Sequence, residues 1–208
     1  MSSDDRVQRL RRPDGNTVAY ATTSGRTPTV AFLGGFRSDM TGTKAIALEG
    51  WARRTGRAYL RFDYLGHGQS SGRFEDGTIG RWLDDSLAAI DRLTSGRLVL
   101  VGSSMGGFVS VASASLLHAR GVFLMAPALY MDGLPELRSG VLDCPAAVVH
   151  GWKDDVVPYE HSVRFAKEYG AALHLLDSDH RLHNQLRVVK YLFEYFLIAL
   201  DLPPAAFE

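Results

Sequence analysis

The sequence predicts an α/β fold, a mostly parallel sheet with an N-terminal antiparallel hairpin and helices on both faces. Three observations carry this reading. Short apolar, β-branched runs alternate with stretches of helical spacing along the 208 residues. Each run is apolar throughout, as strands covered on both faces require. Glycine-rich segments follow the carboxyl ends of these runs, where ligands bind on such sheets.

The elements follow in order. Val7–Arg11 and Thr17–Thr22 flank the turn cluster Pro13-Asp14-Gly15-Asn16 and read as a hairpin. Thr29–Leu33 is a buried strand that runs into Gly34-Gly35, and Ala45–Arg54 has helical spacing through Ile46, Leu48 and Trp51. Ala58–Asp63 is the next strand and leads into the loop Gly66–Gly72, where His67 is placed to line a site. Thr78–Leu93 carries a helical stripe of Ile79, Trp82, Leu83, Leu87, Ile90 and Leu93. Leu98–Val101 is a strand, Ser104–His118 a helix, and Val122–Met125 a strand ending at Ala126-Pro127. Ala146–His150 and Ala172–Leu176 complete the strands, with helices at Tyr159–Tyr169 and Leu182–Leu200. No repeat, low-complexity segment or linker divides the chain, so a single domain over residues 1–208 is expected.

Composition excludes several function classes. Hydrophobic residues make up 46% and charged residues 22%, an ordinary globular balance. Lys+Arg and Asp+Glu stand at 23 each, so no net field favours nucleic acid or an anionic membrane. Cys144 is the only cysteine, which rules out an internal disulfide and any cysteine-rich metal site. No histidine pair has metal-ligand spacing, and neither a metal nor a cofactor is expected. The segment Met1–Pro13 has no apolar core of a secretory signal, and its acids Asp4 and Asp5 argue against a transit peptide. The longest apolar stretch, Leu192–Leu202, is interrupted by Glu194 and Asp201 and is too short to span a membrane. A soluble cytoplasmic location is therefore expected.

The chemistry centres on Leu98-Val99-Leu100-Val101-Gly102-Ser103-Ser104-Met105-Gly106-Gly107. A strand that stops at Gly-x-Ser-x-Gly and gives way to a helix is the grammar of a nucleophile elbow, with Ser104 raised on a strained turn. A serine needs a base to take its proton, and the base needs an acid to fix its tautomer. The chain order Ser, Asp, His goes with this elbow. In Gly151-Trp152-Lys153-Asp154-Asp155-Val156-Val157-Pro158, Asp154 is favoured over Asp155 because of its place after the strand. In Asp177-Ser178-Asp179-His180-Arg181-Leu182-His183, His180 is favoured over His183, which begins the final helix. His150 ends a strand and reads as a packed, hydrogen-bonded residue. The oxyanion of a tetrahedral intermediate needs two preorganised donors, assigned to the backbone N–H groups of Met105 and Phe36.

At these residues the chain resembles the α/β-hydrolase superfamily. The matching segments are Phe32-Leu33-Gly34-Gly35-Phe36, Asp63-Tyr64-Leu65-Gly66-His67-Gly68-Gln69-Ser70, the elbow, Gly151-x-x-Asp154-x-x-Val157-Pro158 and His180. More narrowly, Phe36–Ala45, Arg61-Phe62-Asp63-Tyr64, Trp82-Leu83-Asp84-Asp85 and Asp177–Leu182 resemble the mitochondrial acyl-glucuronide esterase and palmitoyl-protein thioesterase family and its bacterial relatives. The resemblance implies a serine carboxylester or thioester hydrolase with Ser104, Asp154 and His180 as its triad. The histidine usual in the oxyanion loop is replaced by Gly34, which keeps backbone donation and loses any side-chain contribution.

Lid domains of such hydrolases are inserted between the strand ending near Pro127 and the one beginning near Ala146. Here only the short connection 128–145 is present, so no large cap is expected. Gly35, Leu129, Tyr130 and Met131 are candidate substrate-binding residues, with Phe36 at the rim of the acyl pocket. The expected partner is a small-molecule ester or thioester, with no nucleic acid and no membrane span. The alternatives are an amide, peptide or carbon–carbon bond hydrolase with the same triad, and a non-catalytic ligand-binding protein on this fold.

Overall fold

The computed structural model describes residues 7–137 and 142–201. Its strands are β1 (Gln8–Arg11), β2 (Thr17–Thr23), β3 (Arg26–Leu33), β4 (Arg57–Phe62), β5 (Leu98–Ser103), β6 (Gly121–Met125), β7 (Ala146–Gly151) and β8 (Ala172–Leu176). Its helices are α1 (Thr43–Thr55), α2 (Ile79–Leu93), α3 (Met105–Ala114), α4 (Tyr159–Tyr169) and α5 (Leu186–Asp201). All eight strands form one sheet in the order β1-β2-β4-β3-β5-β6-β7-β8. The β1–β2 and β2–β4 pairs are antiparallel, and every other pair is parallel.

This order positions the site. From β3 the chain moves to β4 on one flank, and it then crosses to β5 on the other. The loops leaving β3 and β5 therefore diverge, and a crevice opens between them at the carboxyl ends of the strands. Alternate residues of the parallel strands feed two cores. Ala31, Leu33, Leu100, Leu124 and Val148 pack beneath α2, α3 and α4 through Trp82, Ile90, Phe108 and Phe165. Val30, Phe32, Val99, Val101, Phe123 and Val149 pack beneath α1 and α5 through Trp51, Phe193 and Phe196. With both faces covered, polar residues are tolerated mainly beyond the strand ends.

Three boundaries differ from expectation by three or more residues, each for a local reason. α5 starts at Leu186 rather than Leu182, because Leu182 is left-handed (φ 59°) and His183–Gln185 form a separate 3₁₀ turn, so His183 does not begin the final helix. β3 starts at Arg26 rather than Thr29, because the strand continues through Pro28. Proline donates no ladder hydrogen bond, and the register against β4 shifts between Arg26 and Val30. α3 ends at Ala114, short of His118. There His118 turns left-handed (φ 49°) and the Ala119 N–H closes onto the Ala114 carbonyl at 2.9 Å. Between β6 and β7 the described residues contain no helix or strand, and residues 138–141 of the expected 128–145 connection lie outside the described residues. Asp4 and Asp5, on which the N-terminal reading rested, also lie outside them. Among the described residues no helix is long and apolar enough to cross a membrane.

Candidate active site

The elbow is built by steric exclusion. Ser104 sits between β5 and α3 with φ 54° and ψ −123°. A Cβ on Gly102 would lie 2.3 Å from the Gly106 carbonyl oxygen, and one on Gly106 would lie 2.1 Å from that of Leu33. Neither gap admits a methyl group, so only glycine lets strand, turn and helix close so tightly. The Ser104 N–H donates to the Met125 carbonyl (3.1 Å), and the Ser104 carbonyl accepts from the Gly107 and Ala128 N–H groups (2.8 and 2.9 Å). These bonds anchor the turn on both sides.

Three side chains distant in sequence meet above it. Ser104 Oγ lies 3.0 Å from His180 Nε2, and His180 Nδ1 lies 2.7 Å from Asp154 Oδ2. The carboxylate can only accept, so Nδ1 carries the proton and Nε2 is left to accept from the serine hydroxyl. Asp154 Oδ1 accepts from the Val156 and Val157 N–H groups at 2.9 and 2.8 Å. Burial by itself would raise the Asp154 pKa. Hydrogen bonds from His150, His180, Val157 and Val156 outweigh it and hold the carboxyl well below the usual carboxylate range. His180 is carried by the loop after β8, where Asp179 Oδ1 accepts from the N–H groups of Arg181 and Leu182 (3.0 and 3.1 Å). Leu182 plugs into the α1–α5 core and holds that loop down.

The side of Ser104 that faces Gly35 and Phe36 is open. Gly35 approaches so closely that a Cβ there would lie 3.2 Å from Ser104 Cβ. Among the described residues the Phe36 N–H has no protein acceptor. The Met105 N–H, first in α3, has none within its helix. A cleft of about 390 Å³ runs past Ser104, lined among others by Gly35, Phe36, Lys44, Ser103, His180 and Arg181. That is enough for a small organic ligand. Phe36 stands at its rim, 57% exposed, in edge contact with Phe74 (5.0 Å) and Trp82 (5.9 Å).

Ser104, Asp154, His180, Gly35, Phe36 and Met105 thus come together as the sequence predicts, whereas Leu129, Tyr130 and Met131 do not reach the cleft. Leu129 is fully buried in the α2–α3–α4 core. Tyr130 turns to α4, where its hydroxyl donates to Glu168 (2.7 Å) and its ring lies under Arg164. Hydrophobicity marked this segment for burial without indicating on which side. His67 also departs from expectation. It is buried against Tyr64, Phe74 and Trp82 and does not line the cleft. Asp155 is exposed, and His183 is on the cleft wall without bonding to the array.

Two residues escaped sequence reasoning. His150 is buried as expected, yet its Nε2 lies 2.9 Å from Asp154 Oδ2. Lys44, at the start of α1, donates from Nζ to Ser103 Oγ at 2.9 Å. Burial pushes the Lys44 ammonium down to about 8, against the opposing pull of Asp154 and Asp179. The spacing of Asp154 four residues after His150 was a usable signal for the first. Nothing local distinguishes Lys44. Among the described residues no cluster of His, Cys, Asp and Glu is arranged to hold a metal ion.

A family model described as Alpha/beta hydrolase family matches residues 32–206. The chain belongs to the α/β-hydrolase family. This α/β hydrolase is 33% identical to the palmitoyl-protein thioesterase ABHD10, mitochondrial, of Bos taurus, over 76% of this chain and 67% of that protein. The Homo sapiens protein of the same name is 32% identical over the same shares. Among solved structures, alpha/beta hydrolase domain-containing protein 10 from mouse superposes with a TM-score of 0.86 at 25% identity, covering 94% of this chain and all of that one. A hydrolase from Agrobacterium vitis S4 gives 0.81 at 27% identity, covering 94% and 99%. These matches bear out the resemblance read from the motifs. They overturn the cytoplasmic location expected above, since the curated relatives are named as mitochondrial. Organelle addresses are read by receptors rather than dictated by the fold.

Proposed function

We propose that this α/β hydrolase is a cofactor-independent serine hydrolase of carboxylic esters and thioesters that works through a covalent acyl-enzyme. One observation carries the proposal, the continuous row of hydrogen bonds from Ser104 Oγ through His180 to Asp154. In the first step His180 Nε2 takes the Ser104 proton as Oγ attacks the carbonyl carbon. The charge that develops on the carbonyl oxygen is met by the N–H groups of Met105 and Phe36. His180 then gives its proton to the departing alcohol or thiol, and the acyl group stays on Ser104. Water enters and gives a proton to Nε2 as its oxygen attacks the acyl carbon, and Nε2 then returns that proton to Ser104 Oγ as the ester bond breaks and the carboxylic acid leaves. Asp154 holds the imidazole in its tautomer and supports its positive charge in both halves of the cycle.

The thioester half of the reading is supported by relatives named as palmitoyl-protein thioesterases. Among the described residues the cleft wall carries Arg37, Lys44 and Arg181 and no carboxylate, which suits neutral or anionic leaving groups better than cationic ones.

A fluorophosphonate probe should label the wild-type protein at Ser104, and Ser104→Ala should abolish both labelling and turnover of p-nitrophenyl esters and acyl thioesters. A wild-type protein that bound such compounds without forming an adduct would instead be a ligand-binding protein on this scaffold. A protein that formed the adduct yet turned over only amides would be the amide hydrolase set out above.

A further inference from the structure

Asp154 is gripped by two imidazoles. His180 Nδ1 lies 2.7 Å from Oδ2, and His150 Nε2 lies 2.9 Å from the same oxygen. His150 and the Asp154 carboxylate are both fully buried. The second ring is itself oriented. Its Nε2 faces only acceptors, Asp154 Oδ2 and the Val157 carbonyl at 3.1 Å, so Nε2 carries a proton. Its Nδ1 lies 2.7 Å from Ser162 Oγ on α4, whose hydroxyl can donate to it. With Oδ1 occupied by two backbone N–H groups, the carboxylate has a donor in four directions and no freedom to rotate.

We infer that His150 is a positioning residue for the reaction, a second imidazole that locks the Asp154 carboxylate and shares its charge with His180. The inference rests on the reading of Ser104, His180 and Asp154 as the reacting array. Its physical content has two parts. A carboxylate free to turn would present Oδ2 to His180 only part of the time, and the imidazolium formed on proton transfer would lose support. A carboxylate whose charge is no longer shared would also bind the His180 proton more strongly and make that imidazole a stickier base. Removing the His150 donor therefore slows turnover and moves the acid limb of the pH–rate profile upward. Among the described residues, the other charged or titratable groups about His180 are Arg37 from the loop after β3, Lys44 from α1, and Asp179, Arg181 and His183 from its own loop and the cleft wall, and none of them changes in this comparison.

The test compares His150→Met, His150→Gln and Ser162→Ala with the wild type in the full chain. Glutamine can return an amide donor near the position of Nε2, whereas methionine cannot. In His150→Met, kcat for a p-nitrophenyl ester is expected to fall about tenfold with KM little changed, and the acid limb to rise by about half to one pH unit. His150→Gln should recover most of both effects. Ser162→Ala, which removes only a hydroxyl, should move the acid limb in the same direction by less, and it decides the matter if His150→Met does not fold. A structural role alone would lower the thermal midpoint and leave the acid limb in place. If the acid limbs of the folded variants overlay that of the wild type, the inference is overturned. Failure of the underlying reading is separate, because the wild-type protein itself would then not be labelled at Ser104.

Discussion

Ser104 holds a left-handed backbone conformation that L residues rarely adopt (φ 54°), and such strain costs about 1–3 kcal/mol. The surrounding bonds to Met125, Gly107 and Ala128 sustain it. The same turn lifts the hydroxyl free of the sheet, where His180 can meet it. His180 and His183 share this neighbourhood and differ in burial and in bonding. His180 bonds both Ser104 and Asp154, whereas His183 only lines the cleft. His180→Ala should accordingly lower kcat/KM by about 10³-fold or more. His183→Ala should leave kcat/KM within a small factor of the wild type in the same ester assay, and the reverse ranking would reassign the base. Ser104, Asp154 and His180, the proposed nucleophile, acid and base, were legible in the sequence because each follows a strand, in the order Ser, Asp, His. The grip of His150 on the acid was not, since a buried strand-end histidine looks the same whether it bonds a neighbouring carbonyl or the acid itself.

At the scale of elements, α1 sets one wall of the cleft through Lys44, and its seat on the sheet is polar as well as apolar. Arg61 of β4 reaches Glu49 of α1 at 3.0 Å and the Met40 carbonyl at 3.1 Å, with the Tyr59 hydroxyl donating to the Ala45 carbonyl nearby. Both charges are buried. Truncating one partner strands the other, and Glu49→Ala should cost about 3–5 kcal/mol, measured as a lower urea midpoint. Glu49→Gln, which keeps an acceptor for Arg61, should cost less, and equal losses in the two variants would contradict this account of the pair. The elements themselves were largely visible. The uniformly apolar runs of β3, β5, β6 and β7 announced strands covered on both sides. The ends of elements were less so, because Pro28 within β3 and the left-handed close at His118 depend on what the neighbouring chain supplies.

For the whole molecule, the strand order decides where chemistry is possible. The Gly34–Phe36 loop and the Ser104 turn leave adjacent strands, β3 and β5, at the point where the chain divides to the two flanks of the sheet. The motifs and the mostly parallel character of the sheet were readable before any coordinates, whereas the strand order was not. The lining of the pocket was readable only in part, at Gly35 and Phe36. Leu129, Tyr130 and Met131 are apolar enough for a substrate wall, yet Leu129 sinks into the core and Tyr130 docks on α4. Which side of an apolar segment faces a ligand is settled by packing against distant elements, and composition is blind to that.

His180, the proposed base, is also attached to one border of this sheet. His180 follows β8, a border strand bonded only to β7, and its loop must reach back across three strand spacings, roughly 14 Å, to meet the serine. Peripheral strands loosen before central ones. Warming should therefore part the imidazole from the hydroxyl while the middle of the sheet is still intact. Ester turnover should then fade several degrees below the loss of far-ultraviolet circular dichroism. Coincident curves would mean that the border strand melts with everything else.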